Sequence, residues 1–154
     1  MTILDHFFKE HIEYDFFRTF CGERLGGGAG RDVYAFGLDE EYVIKFEGRD
    51  QSFQNIAEWQ LWNKAVNTDN HDIIKWLAPC DRISPSGRVL IQKRTKPLKP
   101  EKFPKRIPSF LGDTKYNNYG MLGKQFVCHD YGTHDLQVCG FSKRMYSPKW
   151  SSDE

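Results

Sequence analysis

Two groups of residues in this chain could do chemistry on a phosphate. The first is a glycine-rich stretch, Leu25–Tyr34, which is followed by Lys45 within an apolar run. The second lies far downstream, where residues 113–118 are Asp-Thr-Lys-Tyr-Asn-Asn and residues 129–132 are His-Asp-Tyr-Gly. Glycine amides and a lysine bind phosphate oxygens, whereas carboxylate and amide oxygens bind Mg²⁺. Their order along the chain therefore indicates a site that binds Mg-ATP and positions a phosphoryl acceptor.

The glycine-rich stretch has the spacing of a phosphate-binding turn. Gly26 and Gly28 flank one residue, and Val33 lies five positions after Gly28, with Arg31 between them. Without side chains, glycine amides allow a polyphosphate to approach closely. The stretch lacks the Gly-Lys-Ser/Thr ending of a Walker A loop, which counts against a P-loop NTPase. A plain hairpin made flexible by glycine is the alternative interpretation.

Lys45 lies in the middle of an apolar strand, where an unpaired ammonium group would be costly. One interpretation has it bridging nucleotide phosphates and a glutamate on the following helix. The other puts Lys45 on the outer face of the strand, with Ile44 and Phe46 facing inward. Glu58 is the best candidate for that glutamate because it lies on the helix predicted at 52–66, although a solvated Glu58 is an open alternative.

The downstream group carries the most specific spacing. Asp113, Lys115 and Asn118 match the pattern Asp-x-Lys-x-x-Asn, and Asp130-Tyr131-Gly132 begins twelve residues after Asn118. In a phosphotransferase loop of this kind the aspartate orients the acceptor hydroxyl, the lysine neutralises charge on the transferred group, and the asparagine binds Mg²⁺. Asp130 would supply a second metal-binding carboxylate. A surface turn is the alternative for the first motif taken alone.

The rest of the sequence predicts an α+β arrangement. Apolar residues recur at helical spacing in two stretches, and strand formers alternate with turn residues elsewhere. In chain order we expect an amphipathic helix within 3–20, strands at about 18–25, 32–37 and 42–47, a helix at 52–66, a loop at 67–72, a hairpin of 77–83 with 88–94, and a hairpin of 119–122 with 125–129.

The stretch 93–108 is basic and rich in proline. Its charges are Lys93, Arg94, Lys96, Lys99, Lys102, Lys105 and Arg106 against Glu101, and prolines stand at 97, 100, 104 and 108. This density of proline predicts a stiff, extended linker. A solvated strap is the favoured interpretation. A phosphate-binding strip for nucleic acid, with Phe103 and Phe110 available for stacking, and a surface for an acidic protein are the alternatives.

In these motifs the chain resembles protein-kinase-like phosphotransferases, and it is similar to small kinase-like proteins from bacteriophages and bacteria. The resemblance spans residues 25–132. It implies that Gly26, Gly28 and Val33 cover the nucleotide, that Lys45 and Glu58 form an ion pair, that residues 93–95 form a hinge, and that Asp113, Lys115, Asn118 and Asp130 carry the metal and the chemistry.

The resemblance also implies a fold and a division of the chain. We expect a five-stranded antiparallel N-lobe sheet with one αC-type helix and an N-terminal helix in residues 1–95, a linker at 96–110, and a much reduced C-lobe at 111–154. The chain departs from the family because Leu111-Gly112 replaces the usual His-Arg, and because few residues separate the hinge from Asp113. The helical scaffold that fixes such a site is therefore short.

Bulk composition sets the remaining expectations. The 154 residues have a formal net charge of +1, which predicts no overall attraction to nucleic acid or membrane. No apolar run reaches membrane-spanning length, no signal peptide is recognisable, and four scattered cysteines suit reduced thiols, so we expect a cytoplasmic protein, in the bacterial host if phage-encoded. The predicted function is phosphotransfer from ATP with Mg²⁺ to a hydroxyl of a protein or small molecule. The alternative is a pseudokinase-type module that engages a partner protein, with or without nucleotide.

Overall fold

The structure is a computed structural model that describes residues 13–48, 50–132 and 140–152. The chain divides into two compact units: Met1–Trp59 with Pro79–Arg94, and Gln60–Ala78 with Thr95–Glu154. The expected division placed residues 60–78 in the first part and treated 96–110 as a linker. Both segments belong to the second unit, because each packs by its own apolar side chains, Ile73 and Phe103 among them.

The first unit is built on a five-stranded antiparallel sheet, as the sequence predicted. Its strands lie in the order β1-β2-β3-β5-β4. The last two form a hairpin that turns at Gly87, whose φ of 81° suits glycine. The bounds are Cys21–Gly27 (β1), Asp32–Phe36 (β2), Tyr42–Phe46 (β3), Cys80–Ile83 (β4) and Val89–Lys93 (β5).

One face of this sheet is covered by helix α1, Glu13–Phe20. Phe16 and Phe17 face the strands: Phe16 is buried against a core that includes Phe36 and Ile44, and the ring of Phe17 stacks on that of Phe46 with centroids 4.0 Å apart. Alternation along β3 sends Ile44 and Phe46 to this aromatic face. Lys45 therefore points to the opposite face.

Helix α2, Gln54–Asn67, follows β3 in the chain and begins with an unusual N-terminus. The carboxylate of Glu47, which is fully buried, accepts the backbone N–H of Phe53 (3.0 Å) and of Asn55 (2.7 Å). These are donors that a helix leaves without intrahelical partners, and a negative charge is favourable beside them. Glu47 thus fixes where α2 starts relative to β3.

The second unit contains short elements around an aromatic cluster. Phe103 is the centre of that cluster, and its ring centroid lies 4.8 Å from Tyr116, 4.9 Å from Trp150 and 5.3 Å from Phe126. Its elements are helix α3 (His71–Ile74), the pair Ile107–Pro108 (β6) with Met145–Tyr146 (β9), the hairpin Tyr119–Leu122 (β7) with Gln125–Cys128 (β8), and two 3₁₀ helices, Pro100–Lys102 and Tyr116–Asn118.

Two local expectations were wrong. The first strand begins at Cys21 rather than near 18, because residues 18–20 extend the aromatic stripe of α1 and Thr19 Oγ1 donates to the carbonyl of Asp15 at 2.7 Å. The polar stretch 67–72 was expected to be loop, yet α3 begins at His71, since burial of Ile73 draws this segment into the second unit. The predicted helical residues before 13 lie outside the described residues.

Two further observations bear on the bulk expectations. Cys21, Cys80 and Cys128 are present as thiols. Across the described ranges, no helix combines the length and the apolar character needed to cross a bilayer.

Candidate functional site

The first unit holds a buried cluster of charges around Glu58. Lys45 Nζ lies 2.9 Å from Glu58 Oε2 and 3.2 Å from Oε1. Arg31 contacts the same carboxylate with two nitrogens, Nη1 at 2.9 Å from Oε2 and Nη2 at 2.7 Å from Oε1. The three side chains are 3%, 4% and 0% exposed for Lys45, Arg31 and Glu58. Both open alternatives, an outward Lys45 and a solvated Glu58, are therefore wrong.

The protonation of Glu58 is set by two opposing effects. Burial alone raises the pKa of this carboxyl, because a buried charge loses hydration. The charges of Arg31 and Lys45, together with their hydrogen bonds, outweigh burial and lower the pKa of Glu58 to about 2. Glu58 is thus an anion throughout the physiological range, and it keeps both cations in fixed positions.

Asn55 connects this cluster to the strand. Its Oδ1 accepts a hydrogen bond from Arg31 Nη1 at 3.0 Å, and its Nδ2 donates to the carbonyls of Lys45 (3.1 Å) and Arg88 (3.0 Å). Asn55 is fully buried, so these bonds satisfy its amide without water. Side-chain hydrogen bonds therefore connect the first turn of α2 to β3 and to Arg88, the residue before β5.

The predicted nucleotide-covering residues line up with Lys45 across the sheet. Gly26 pairs with Val33, Val33 pairs with Lys45, and Lys45 pairs with Leu90. Directly paired residues of an antiparallel sheet face the same side. Gly26, Val33, Lys45 and Leu90 thus form one row on the face that carries Glu58. The sequence predicted neither Leu90 as a member of this row nor the contact of Arg31 with Glu58.

The glycines of the turn differ in what surrounds them. A Cβ atom placed on Gly26 or Gly28 would have no atom within 4 Å, whereas one on Gly30 would collide with the side chain of Ser52. None of these glycines has a positive φ. Gly30 is thus required by close packing, while Gly26 and Gly28 leave open space above the turn. Open backbone is what the approach of a phosphate group needs.

The second unit brings Asn118 and Asp130 together. The carbonyl of Asn118 accepts the backbone N–H of His129 at 2.8 Å and of Asp130 at 3.3 Å. The imidazole of His129 adds two bonds: Nε2 lies 2.7 Å from the carbonyl of Asn117, and Nδ1 lies 2.7 Å from Thr95 Oγ1. Because a carbonyl only accepts, Nε2 carries a proton, and in the neutral ring Nδ1 accepts from Thr95.

Asp113 and Lys115 precede this hydrogen-bonded network in the chain. The side chain of Asp113 is half-buried and that of Lys115 is exposed. Tyr119 Oη donates to the backbone carbonyl of Asp113 at 2.7 Å, and burial raises the pKa of Tyr119, so this donor keeps its proton. The backbone of Lys115 pairs with Ser151 in an isolated bridge. Backbone contacts therefore fix the position of the segment 113–118 at both ends.

A metal ion in this unit would depend on few protein ligands. No group of three or more His, Cys, Asp or Glu that could hold a metal exists in the described portion of the chain. Asn118 and Asp130 offer amide and carboxylate oxygens, the ligand type that Mg²⁺ prefers. Mg²⁺ in nucleotide sites uses one or two carboxylates and completes its shell with substrate phosphates and water. The residues present therefore suit Mg²⁺ bound together with a nucleotide, and do not suit a metal bound by protein alone.

The chain was compared with three sets of known proteins. Neither protein-family models, nor curated proteins, nor solved structures gave a match to this chain.

Sequence reasoning missed the residues that fix the site. Arg31 was noted only for its place between Gly28 and Val33, Thr95 was expected only as part of a hinge at 93–95, and Asn55 was not singled out. The sequence predicted no role for His129, whose ring is hydrogen-bonded to Thr95 and to the carbonyl of Asn117. The sequence shows only that Arg31 follows a run of glycines and precedes a predicted strand. That position does not identify Glu58, 27 residues further along the chain, as the partner of Arg31.

Proposed function

We propose that this protein is a kinase-like phosphotransferase that transfers a phosphoryl group from Mg-ATP to a hydroxyl of a protein or small molecule. The observation that carries the proposal is the buried ion pair between Lys45 on β3 and Glu58 on α2. Burying charges carries a desolvation cost that close pairing only offsets, so a buried ion pair adds little to stability by itself, and perturbed carboxylates such as Glu58 concentrate at functional sites. The sheet order and the helix that follows β3 agree with the expected N-lobe.

The first unit would bind the nucleotide. Lys45, oriented by Glu58, would contact phosphate oxygens, and the backbone of Gly26 and Gly28 would contact the remaining phosphates. Val33, which is half-buried and lies beside Lys45 on the same face, would provide an apolar surface for the base. A preorganised cation in a dry environment stabilises charge that develops during transfer, since it needs no reorganisation at that moment.

The second unit would supply the metal ligands and the residue that positions the acceptor. Asn118 and Asp130 would bind Mg²⁺, which neutralises the phosphates when it is present. Asp113 would orient the acceptor hydroxyl and take its proton, and Lys115 would approach the transferred group. The hydrogen bonds from His129 and Asp130 to the Asn118 carbonyl support this assignment, because they fix the two ligand residues against each other.

One observation favours the second candidate, a binding module without transfer activity. Arg31 and Lys45 both contact the two oxygens of Glu58, so the cluster also suits a purely structural role that joins the glycine turn, β3 and α2. In that case the protein would engage its partner with or without nucleotide, and substitution of Asp113 would change nothing but local structure.

Phosphate transfer itself distinguishes the two candidates. The full chain is incubated with radiolabelled Mg-ATP and a mixture of serine, threonine and tyrosine peptides, and label in protein and peptides is counted. We expect transfer that falls at least about 100-fold in Asp113→Ala, the usual effect of losing a general base. The matched control is Asp81→Ala, an exposed aspartate on β4, which should transfer at the wild-type rate. Equal transfer by Asp113→Ala and wild type would refute the assigned role, and no transfer by the wild type would favour the binding module.

A further inference from the structure

The basic segment of the second unit carries lysines at every third position. Lys96, Lys99, Lys102 and Lys105, called here the lysine row, are all exposed. No ion pair involves any of the four among the contacts of the described residues. The only acid within the row is Glu101. The four positive charges are therefore available to a ligand from solvent.

The backbone conformation explains why this spacing matters. Lys99 has φ −68° and ψ 142°, Phe103 has φ −67° and ψ 144°, and Pro100–Lys102 between them is a 3₁₀ helix. Polyproline II and 3₁₀ conformations both have three residues per turn. Within Lys99–Phe103, residues three apart thus return to one side of the backbone, with a rise of about 6 to 9 Å between them, which corresponds to roughly two or three nucleotide steps along one strand.

The segment is fixed in place rather than loose. Lys96 and Met121 exchange backbone hydrogen bonds of 2.9 and 2.8 Å. The Phe103 ring is buried in the aromatic cluster, Trp150 Nε1 donates to the carbonyl of Pro104 at 3.1 Å, and Arg106 donates to the carbonyl of Met145 at 3.1 Å. A ligand that bound the row would not have to order this backbone, which removes a large part of the usual entropic cost of binding.

The second unit as a whole also has an excess of positive charge. The second unit, Gln60–Ala78 with Thr95–Glu154, holds 12 lysines and arginines against 8 aspartates and glutamates, whereas the first unit holds 10 against 13. The net charge of +1 for the chain conceals this asymmetry. A marked difference in charge between two parts of a chain is a sign of polyanion binding.

We propose that the lysine row binds the phosphodiester backbone of a nucleic acid duplex without regard to base sequence. Lysine is depleted in protein interfaces, whereas lysines that neutralise nucleic-acid phosphates release condensed counterions, so a row of four exposed lysines suits a phosphodiester backbone more than an acidic protein. The expected stacking role of Phe103 and Phe110 is wrong, because both rings are buried. Contacts to unpaired bases are thus not offered by these residues, and phosphate contacts remain. This surface is independent of the proposed phosphotransfer.

The test measures affinity of the full chain for a fluorescein-labelled 20-base-pair DNA duplex by anisotropy at several salt concentrations. Four phosphate contacts predict a slope of log K against log salt of about −3.6. Changing all four lysines of the row to glutamine should abolish most of this slope. The matched control changes Lys75, Lys124, Lys143 and Lys149 to glutamine, which removes the same charge from exposed positions of the same unit.

The outcomes distinguish duplex binding by the lysine row from binding through general charge and from binding of an acidic protein. An equal loss of affinity in the control variant would overturn the proposal, because general charge would then explain binding. Tighter binding of a labelled polyglutamate peptide than of DNA would also overturn it, in favour of an acidic protein. If the fourfold variant does not fold, the two halves (Lys96 with Lys99, and Lys102 with Lys105) are changed separately, each reducing the slope by about 1.8. Asp113→Ala should bind DNA as the wild type does, whatever becomes of phosphotransfer.

Discussion

Replacing Glu58 by glutamine is the sharpest perturbation of the buried charge cluster. Glutamine keeps the shape and a hydrogen-bonding oxygen but removes the negative charge that Arg31 and Lys45 share at 2.7 to 3.2 Å. All three side chains are almost completely buried, so water cannot replace the lost charge. The effect should therefore appear in the free energy of unfolding and in its dependence on pH.

The magnitude follows from the pKa of Glu58. The carboxyl titrates at about 2 in the folded protein against 4.5 for an unperturbed group. Since one pKa unit corresponds to 1.36 kcal/mol, the ionised carboxylate contributes about 3 kcal/mol at neutral pH. A lowered pKa stabilises the fold fully above pH 4.5, and this contribution is lost as the pH falls from there toward 2. About two-fifths of it should remain at pH 3.

Urea unfolding of the wild type and Glu58→Gln at pH 7, 5, 4 and 3 measures this directly. We expect the variant to be less stable by about 3 to 5 kcal/mol at pH 7, in line with the removal of one partner from a buried ion pair. The difference between the two proteins should shrink by between 1 and 2 kcal/mol at pH 3. Glu23→Gln, at an exposed position of β1, is the control and should stay within about 0.5 kcal/mol of wild type throughout.

Two results would refute this reasoning. A difference between wild type and Glu58→Gln that stays constant from pH 7 to pH 3 would mean that ionisation of Glu58 does not stabilise the fold. A loss below about 1 kcal/mol at pH 7 would place Glu58 in solvent.

Further expectations concern residues around the two groups. Phe53 has a φ of 61° and is 60% exposed, so Phe53→Gly should relieve strain and raise the free energy of unfolding by about 1 kcal/mol relative to Phe53→Ala, which keeps the Cβ. Equal stability of the two variants in urea would show that the backbone is not strained. Thr95→Val removes the hydroxyl that bonds to His129 and should cost about 1 kcal/mol, while Thr95→Ser should retain wild-type stability. If Thr95→Ser were as unstable in urea as Thr95→Val, the methyl group of Thr95, and not its hydroxyl, would be the group that stabilises the fold.

The regular elements could be predicted because their signals are local. The strand Tyr42–Phe46 is a run of strand formers, and the hairpin around Gly87 has turn residues at each position, so both are found within three residues of the expected bounds. Helix α2 was likewise expected from its apolar spacing. The short helix at His71 could not be foreseen, since it depends on burial of Ile73 in a unit whose composition the sequence does not reveal.

The candidate site was only partly accessible from sequence, for the same reason. Lys45 and Glu58 are separated by 13 residues, and the strand and helix periods together made their pairing foreseeable. Arg31 reaches Glu58 across 27 residues, and Thr95 reaches His129 across 34. Such contacts depend on the register of strands and on loop geometry, neither of which is encoded within a short window of the chain.

The most direct test of the central claim is the midpoint of thermal unfolding with and without Mg-ATP. At about one hundred times its dissociation constant the nucleotide adds about 2.7 kcal/mol, which for a chain of this size raises the midpoint by roughly 5–10 °C. We predict that the rise requires Mg²⁺ and disappears in Asp130→Asn, while Asp69→Asn, at an exposed position, retains it. An unchanged midpoint of the wild type at millimolar Mg-ATP would contradict the proposed nucleotide site.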